Sequence, residues 1–279
     1  MTNRPQLDGL NIWVAGPKTS IGNAGPDKLC ELLRESGANP QHFPLVRLVE
    51  NEDLGLSAAI RELGSFASLV FVSAAGVSFF LERVRQMGEF VGDLEGFLGL
   101  NEITWVAIGP GTAAALERNG VTDIQIPEVA NSHWLAELLK TESIPQPILI
   151  VRADRGSDIL REALEAAEIQ FTQVAAYRSI DTKMRDEELV SRLTAGNVDC
   201  VAVTSPAIAG VLVRLYGQIL GAVKIACISR KVAEVVEAAG LEVCCVANEA
   251  NFLSLRKAIA SSYGDSGTCL LYTSDAADE

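Results

Sequence analysis

Hydrophobic positions in this chain fall into two repeating kinds of block. Largely apolar runs of five or six residues recur: NIWVA (Asn11–Ala15), LVFVS (Leu69–Ser73), Ile103–Ile108, PILIV (Pro147–Val151), Cys200–Thr204, Val223–Ile228 and Glu242–Ala247. Such runs suit strands buried on both faces of a parallel sheet. Between them lie stretches with helical spacing of apolar residues: Pro26–Ser36, Leu54–Leu63, Ala74 to about Gln86, AAALERNG, Ser157–Glu168, Asp186–Leu193, Pro206–Tyr216, Lys231–Ala239 and Phe252–Ser261. Gly37, Gly120 and Gly240 stand where helices stop. Ser132 reads as the N-cap of a helix running to Lys140. Gly16-Pro17-Lys18 reads as a turn, Asp123–Ile126 as a strand and Gly88–Gly99 as an irregular glycine-rich loop. Strand and helix alternate throughout, which predicts an α/β fold.

Two further runs, His42–Leu48 (HFPLVRL) and Phe171–Ser179 (FTQVAAYRS), look like strands, and each leads from one α/β run into the next. The chain also repeats itself. LVFVSAAGVSFFLERV from Leu69 parallels CVAVTSPAIAGVLVRL from Cys200, and AIGPGTAAALERNG from Ala107 parallels CISRKVAEVVEAAG from Cys227. The expectation is two similar lobes with parallel sheets flanked by helices, joined by a two-stranded ladder. Residues 1–40 and 181–264 form lobe 1, and 49–170 form lobe 2. Residues 41–48 and 171–180 cross between them, and 265–279 is a disordered tail or a non-native scar.

Composition narrows the partners. Net charge is −13 in 279 residues, which disfavours nucleic acid and anionic membrane. The six cysteines and two histidines show no metal-ligand spacing, so no metal is expected. No apolar run approaches a membrane span and the N-terminus has no signal-like core, so a cytoplasmic protein is expected.

Against that acidic background, basic residues collect where strands run into helices. Lys18, Arg152, Arg155, Arg230 and Lys231 fall in such turns, and Arg178 lies on the second crossing run. They would suit a ligand with several carboxylates. Ser73, Ser205, Ser229 and Thr112 end strands in both halves; each could simply cap a helix, but open α/β sheets bind ligands at these ends. Gly109-Pro110-Gly111-Thr112 exposes amides at a helix start and superficially fits a dinucleotide fingerprint, with Glu128 as a candidate ribose-binding acid. Pro110 between the glycines, and the glycine-free counterpart Ser229-Arg230-Lys231, argue against that. Tyr177, on the crossing run, is the candidate for chemistry, although it could equally pack on a surface.

FVSAAGV, AIGPGTAAALERNG, LIVRADRGSDILREAL, AYRS and VTSP, in this order and spacing, resemble uroporphyrinogen-III synthases over Gly9 to about Ser261. The resemblance implies two α/β lobes with an active site in the cleft, and a cofactor-free lyase of tetrapyrrole (haem, sirohaem, cobalamin) biosynthesis. Its substrate would be hydroxymethylbilane, a linear tetrapyrrole with eight carboxylates. It implies Tyr177 as the proton donor that helps the terminal hydroxyl leave. It implies substrate contacts from Lys18, Ser73, Gly109, Gly111, Thr112, Arg152, Arg155, Arg178, Ser205, Ser229, Arg230 and Lys231. A monomer is expected, with at most transient contact with the preceding pathway enzyme. The chain departs from the family pattern at Lys18 (often arginine), Val72, Ala75 and Val232, the last replacing a threonine. Two alternatives stay open: a tetrapyrrole- or effector-binding module that has lost turnover, and a dinucleotide-dependent reductase.

Overall fold

The computed structural model describes residues 7–19, 27–87, 103–141 and 143–264. The loop expected at Gly88–Gly99 and the tail expected at 265–279 lie outside these residues. In chain order the elements are β1 (Asn11–Thr19), α1 (Asp27–Glu35), β2 (Asn39–Glu50), α2 (Leu54–Arg61), β3 (Ser68–Phe71) and α3 (Ala74–Gln86). Then come β4 (Thr104–Ala107), α4 (Pro110–Glu117), β5 (Ile124–Gln125), α5 (Ser132–Leu139), β6 (Ile148–Ala153), α6 (Ile159–Ala166) and β7 (Phe171–Asp181). The chain closes with α7 (Glu187–Thr194), β8 (Cys200–Val203), α8 (Pro206–Tyr216), β9 (Lys224–Cys227), α9 (Arg230–Glu237), β10 (Val243–Val246) and α10 (Phe252–Gly264).

These elements form two compact α/β units. The described part of unit one is 7–18, 27–46 and 181–264; that of unit two is 19, 47–87, 103–141 and 143–180. The chain passes from one unit to the other within β2 and again at the end of β7.

In unit one β8 runs parallel to β1 and to β9, and β9 runs parallel to β10. The strand residues Ile12, Val14, Val203, Ile225, Cys200 and Cys227 are fully or almost fully buried. Cysteine here serves as a small hydrophobe, and burial pushes the Cys227 thiol up to about 12. One expectation fails in β1. Gly16-Pro17-Lys18 does not turn the chain but continues the strand to Thr19. The neighbouring β8 ends at Val203, opposite Ala15, so Pro17 lies where that side offers no ladder to break. Thr204 Oγ1 donates to the Ala15 carbonyl instead.

In unit two β6, β3, β4 and β5 run parallel as neighbours, with β7 parallel to β6. Alternation along the strands divides the core. Val70, Val106, Ile148 and Ile150 pack with Leu135 and Leu139 of α5 and Leu160 and Leu164 of α6. The alternate position Phe71 meets Phe80 of α3 edge-on at 5.4 Å and stacks on Trp105 at 6.3 Å. Each such full burial is worth roughly 1.5–3 kcal/mol, so the phase of each strand is strongly specified.

Three local expectations are corrected. The N-cap of α5 is Asn131, whose side chain accepts from Trp134 N–H, and Ser132 is the first helical residue. Arg152 lies on β6 rather than in a loop, because β7 extends the ladder that far. Arg230 lies in the first turn of α9, which begins one residue earlier than the expected start at Lys231.

Candidate functional site

The carboxyl edge of the unit-two strands brings several of the anticipated residues to one level. Phe71 pairs with Val151 and with Ala107, so Ser73 and Gly109 both stand two residues beyond those pairs. Ala153, two residues beyond Val151, pairs with Tyr177. The register that brings Tyr177 there is irregular. Pairing steps from Arg152–Ala175 to Ala153–Tyr177, leaving Ala176 as an extra residue in β7. This bulge reverses the alternation and turns Tyr177 onto the Val151 and Phe71 face, the side of α3. Asn51 secures it: its backbone N–H donates to Ala176 C=O at 3.3 Å and its Nδ2 to Ala175 C=O at 3.1 Å. Arg83 of α3 in turn donates to Asn51 C=O at 3.2 Å.

So aimed, the Tyr177 ring stacks on Phe79 of α3 (5.2 Å, 16°) and its hydroxyl lies 3.0 Å from Ser73 Oγ. The side chain is buried, with 8% exposed. Burial pushes the phenol above its ordinary pKa; the Ser73 hydrogen bond pulls it partway back, Asp154 pushes it up and Arg152 pulls it down. The group is therefore a neutral phenol, able to give a proton, throughout the physiological range. Asp154 frames the same position, with its N–H donating to Tyr177 C=O and its Oδ1 accepting from Ser179 N–H. Phe79, Asn51 and Asp154 escaped sequence reasoning. Phe79 could have been found as an aromatic one to two turns after the Ser73 cap; the bulge that makes Asn51 matter has no signal in the sequence.

Other anticipated residues sit differently. Alternation puts Arg152 on the opposite face of β6 from Tyr177, where Nη1 donates to Gln173 Oε1 at 3.4 Å and the guanidinium covers Gly156 so closely that a Cβ there would lie 2.6 Å from Nη2. Arg155 is exposed, and Arg178 pairs with Glu52 at 3.4 Å. Gly109 is explained by packing, since a Cβ there would meet Ala130 Cβ at 2.5 Å; no such contact constrains the exposed Gly111. Thr112 is buried, with its N–H donating to Gly109 C=O at 3.0 Å.

Unit one repeats the serine cap, and among the described residues no tyrosine hydroxyl is hydrogen-bonded to it. Ser205 caps α8 through Ile208 N–H as Ser73 caps α3 through Gly76 N–H. Ser229 is the N-cap residue of α9 in the place Gly109 holds for α4, and its side chain makes no capping bond. Val232 is buried like its counterpart Thr112. Arg230 runs back along its own helix to Glu237 and Glu234, which neutralise it. Lys231 and Lys18 are exposed. Unit one also carries a concavity of about 430 Å³ lined by Asn11, Trp13, Arg34, Asn39, Arg192 and Asn197, among others. It holds none of the anticipated residues. Arg34 and Arg192 lie in the last turns of α1 and α7, where a cation complements the helix dipole.

Among the described residues no group of three or more histidine, cysteine, aspartate or glutamate side chains is placed to hold a metal, and no helix is long and apolar enough to cross a membrane. A family model described as uroporphyrinogen-III synthase HemD matches residues 27–256. The chain belongs to the uroporphyrinogen-III synthase family. A Methanothermobacter thermautotrophicus protein provisionally named as such a synthase is 26% identical over 209 residues, covering 71% of this chain and 79% of that one. Among solved structures, a mutant uroporphyrinogen III synthase of the extreme thermophile Thermus thermophilus superposes with a TM-score of 0.59 at 19% identity, covering 92% of this chain and all of that one. The uroporphyrinogen-III synthetase of Helicobacter pylori gives 0.56 at 14% identity, covering 91% and 99%. At these identities the structures attest the shared α/β fold; membership rests on the family model.

Proposed function

We propose that this family member closes hydroxymethylbilane to uroporphyrinogen III, with Tyr177 as the proton donor that lets the terminal hydroxyl leave. The observation that carries the assignment of Tyr177 is its state: a buried, neutral phenol at the carboxyl edge of the strands, with its oxygen on Ser73 and its ring on Phe79. Proton transfer to the departing oxygen releases water and leaves an azafulvene cation on the substrate and a phenolate on Tyr177. The substituted carbon of ring D attacks that cation to give a spiro intermediate, which fragments and recloses with ring D inverted. The ring proton lost on reclosure restores the phenol, so the enzyme ends as it began. The remaining demand is conformational, and exposed cations such as Arg155 of unit two are the groups this reading assigns to the substrate carboxylates. It takes the protein as a cytoplasmic monomer that receives a free small molecule.

Val232 is the departure that favours loss of turnover. That side chain is fully buried inside its unit, at 0% exposure, as a packing residue would be, and so gives the binding-module reading little support. The reductase reading loses Gly109, whose lack of a side chain is required by Ala130.

A coupled assay tests the proposal. Hydroxymethylbilane is generated in place, products are oxidised, and type I and type III isomers are separated. Spontaneous closure gives type I. Type III from the protein, falling sharply in Tyr177→Phe, is the expected result. Undiminished type III in that variant would remove Tyr177 as donor, and type I alone from folded protein would end the enzyme reading.

A further inference from the structure

The Ser73 hydroxyl has more hydrogen-bonding capacity than a helix cap needs. It owns one proton and two lone pairs. One lone pair accepts the Gly76 N–H at 3.0 Å, which is the cap. The proton and the second lone pair remain, and among the described residues the further partner is the Tyr177 hydroxyl. If Tyr177 donated to Ser73, its proton would be directed away from any substrate. If Ser73 donates to Tyr177, the phenol proton is free to point elsewhere, and a donor already faces the oxygen that becomes negative.

The duplicated unit supplies an internal comparison. Ser205 makes the same cap on α8, accepting from Ile208 N–H at 3.3 Å, and no hydrogen bond joins it to a phenol among the described residues. The serine at this strand end therefore serves a helix in both halves, and in unit two alone does it also touch the tyrosine. Gly76 assists: a Cβ there would lie 3.2 Å from Ser73 Oγ and crowd the hydroxyl.

Resting on the assignment of Tyr177 as proton donor, we propose that Ser73 is its positioning residue, holding the phenol oxygen in place and donating a hydrogen bond to the phenolate formed when the proton leaves. No bond other than the Tyr177 O–H breaks on the protein; the serine keeps its own proton throughout. The Ser73 contact lowers the phenol pKa against the effect of burial, which is the sense expected of a donor to the ionised form.

The test compares Ser73→Ala, Ser73→Thr and Ser73→Asp in the full chain, with Ser205→Ala as a cap control and Tyr177→Phe as reference. Aspartate keeps a good cap but, ionised, can only accept; threonine keeps a hydroxyl. Two readouts are taken. One is kcat and KM for type III product. The other is the alkaline titration of the Tyr177 phenol by ultraviolet difference against the matching Tyr177→Phe protein, which needs no substrate. A hydrogen bond to a charged group corresponds to about a 10- to 100-fold effect. We expect Ser73→Ala to lower kcat by that factor with KM little changed, and to move the Tyr177 titration upward. Threonine should restore both and aspartate neither. Ser205→Ala should leave the titration in place, and Ser73→Ala with Tyr177→Phe should be no slower than Tyr177→Phe alone. An unmoved titration in Ser73→Ala, restoration by aspartate as good as by threonine, or multiplicative losses in the double variant would each overturn the proposal and leave Ser73 as a cap. Type I alone from the wild-type protein would instead defeat the catalytic reading, with the titration still deciding whether Ser73 donates to Tyr177.

Discussion

Tyr177 was legible in the sequence as an aromatic on a crossing strand, but its condition was not. Its burial, its stacking on Phe79 and its bond to Ser73 all come from residues about a hundred positions earlier in the chain. That condition has a consequence in pH. Burial raises the folded-state pKa of this acid above the ordinary value near 10, so its contribution to stability is complete below about pH 10 and is lost as pH rises further. Urea denaturation between pH 8 and 11 should show a shallower alkaline decline for Tyr177→Phe than for the wild type, and activity should show no loss from phenol ionisation below about pH 10. Gly109 illustrates the opposite kind of legibility. Its place between strand and helix was plain, but the packing of Ala130 against it was not. Gly109→Ala forces a Cβ to 2.5 Å from that methyl, and overpacking of this kind costs about 1–3 kcal/mol. The urea midpoint should fall accordingly, with the slope unchanged.

At the scale of elements, the strands and helices followed from apolar runs and helical spacing, because strands buried on both faces and amphipathic helices leave strong local patterns. Pro206–Tyr216 and Ala74–Gln86 have the bounds the pattern gave. What failed was whatever neighbours decide. β1 can run through Pro17 since β8 has already ended and offers no ladder there to break, and Arg152 stays in β6 because β7 continues beside it. The bulge at Ala176 is the most consequential of these, since a single extra residue selects the face Tyr177 occupies, and nothing in VAAY announces it. Asn51 holds both carbonyls of that bulge, so its side-chain amide should matter out of proportion to its distance from the tyrosine in sequence. Asn51→Ala removes the bond to Ala175 C=O and should destabilise by roughly 1 kcal/mol, or up to about 3 if the carbonyl is left unsatisfied. Equilibrium urea unfolding measures that loss, and type III formation should fall with it if the bulge loosens.

At the scale of the whole molecule, the internal repeat gave the two α/β units, and it also gave an offset. The quoted repeat set Ser73 against Thr204, whereas the caps set it against Ser205, because each cap lies two residues beyond its strand. The units differ in how the chain builds them. Apart from residue 19, the described residues of unit two all fall between 47 and 180, whereas those of unit one come from three separated stretches. A segment of this size is within the usual range of a self-folding domain. Residues 47–180 expressed alone should unfold in one cooperative step, monitored by far-ultraviolet circular dichroism in urea. A gradual loss of signal would show that the stretch does not form its unit unaided.

The interrupted unit also has a history. Ile12 of β1 pairs with Cys200 of β8, so the β8 side of β1 waits for a partner made 188 residues later. At about 5–20 residues per second this delay is roughly 10–40 s, ample time for the intervening stretch to emerge and fold. Through that interval β1 has β2 beside it but carries an open edge on the side β8 will take, the situation in which nascent chains attract chaperones or one another. One unit is thus completed in the order it is read, and the other only once β8 and the strands after it have been made.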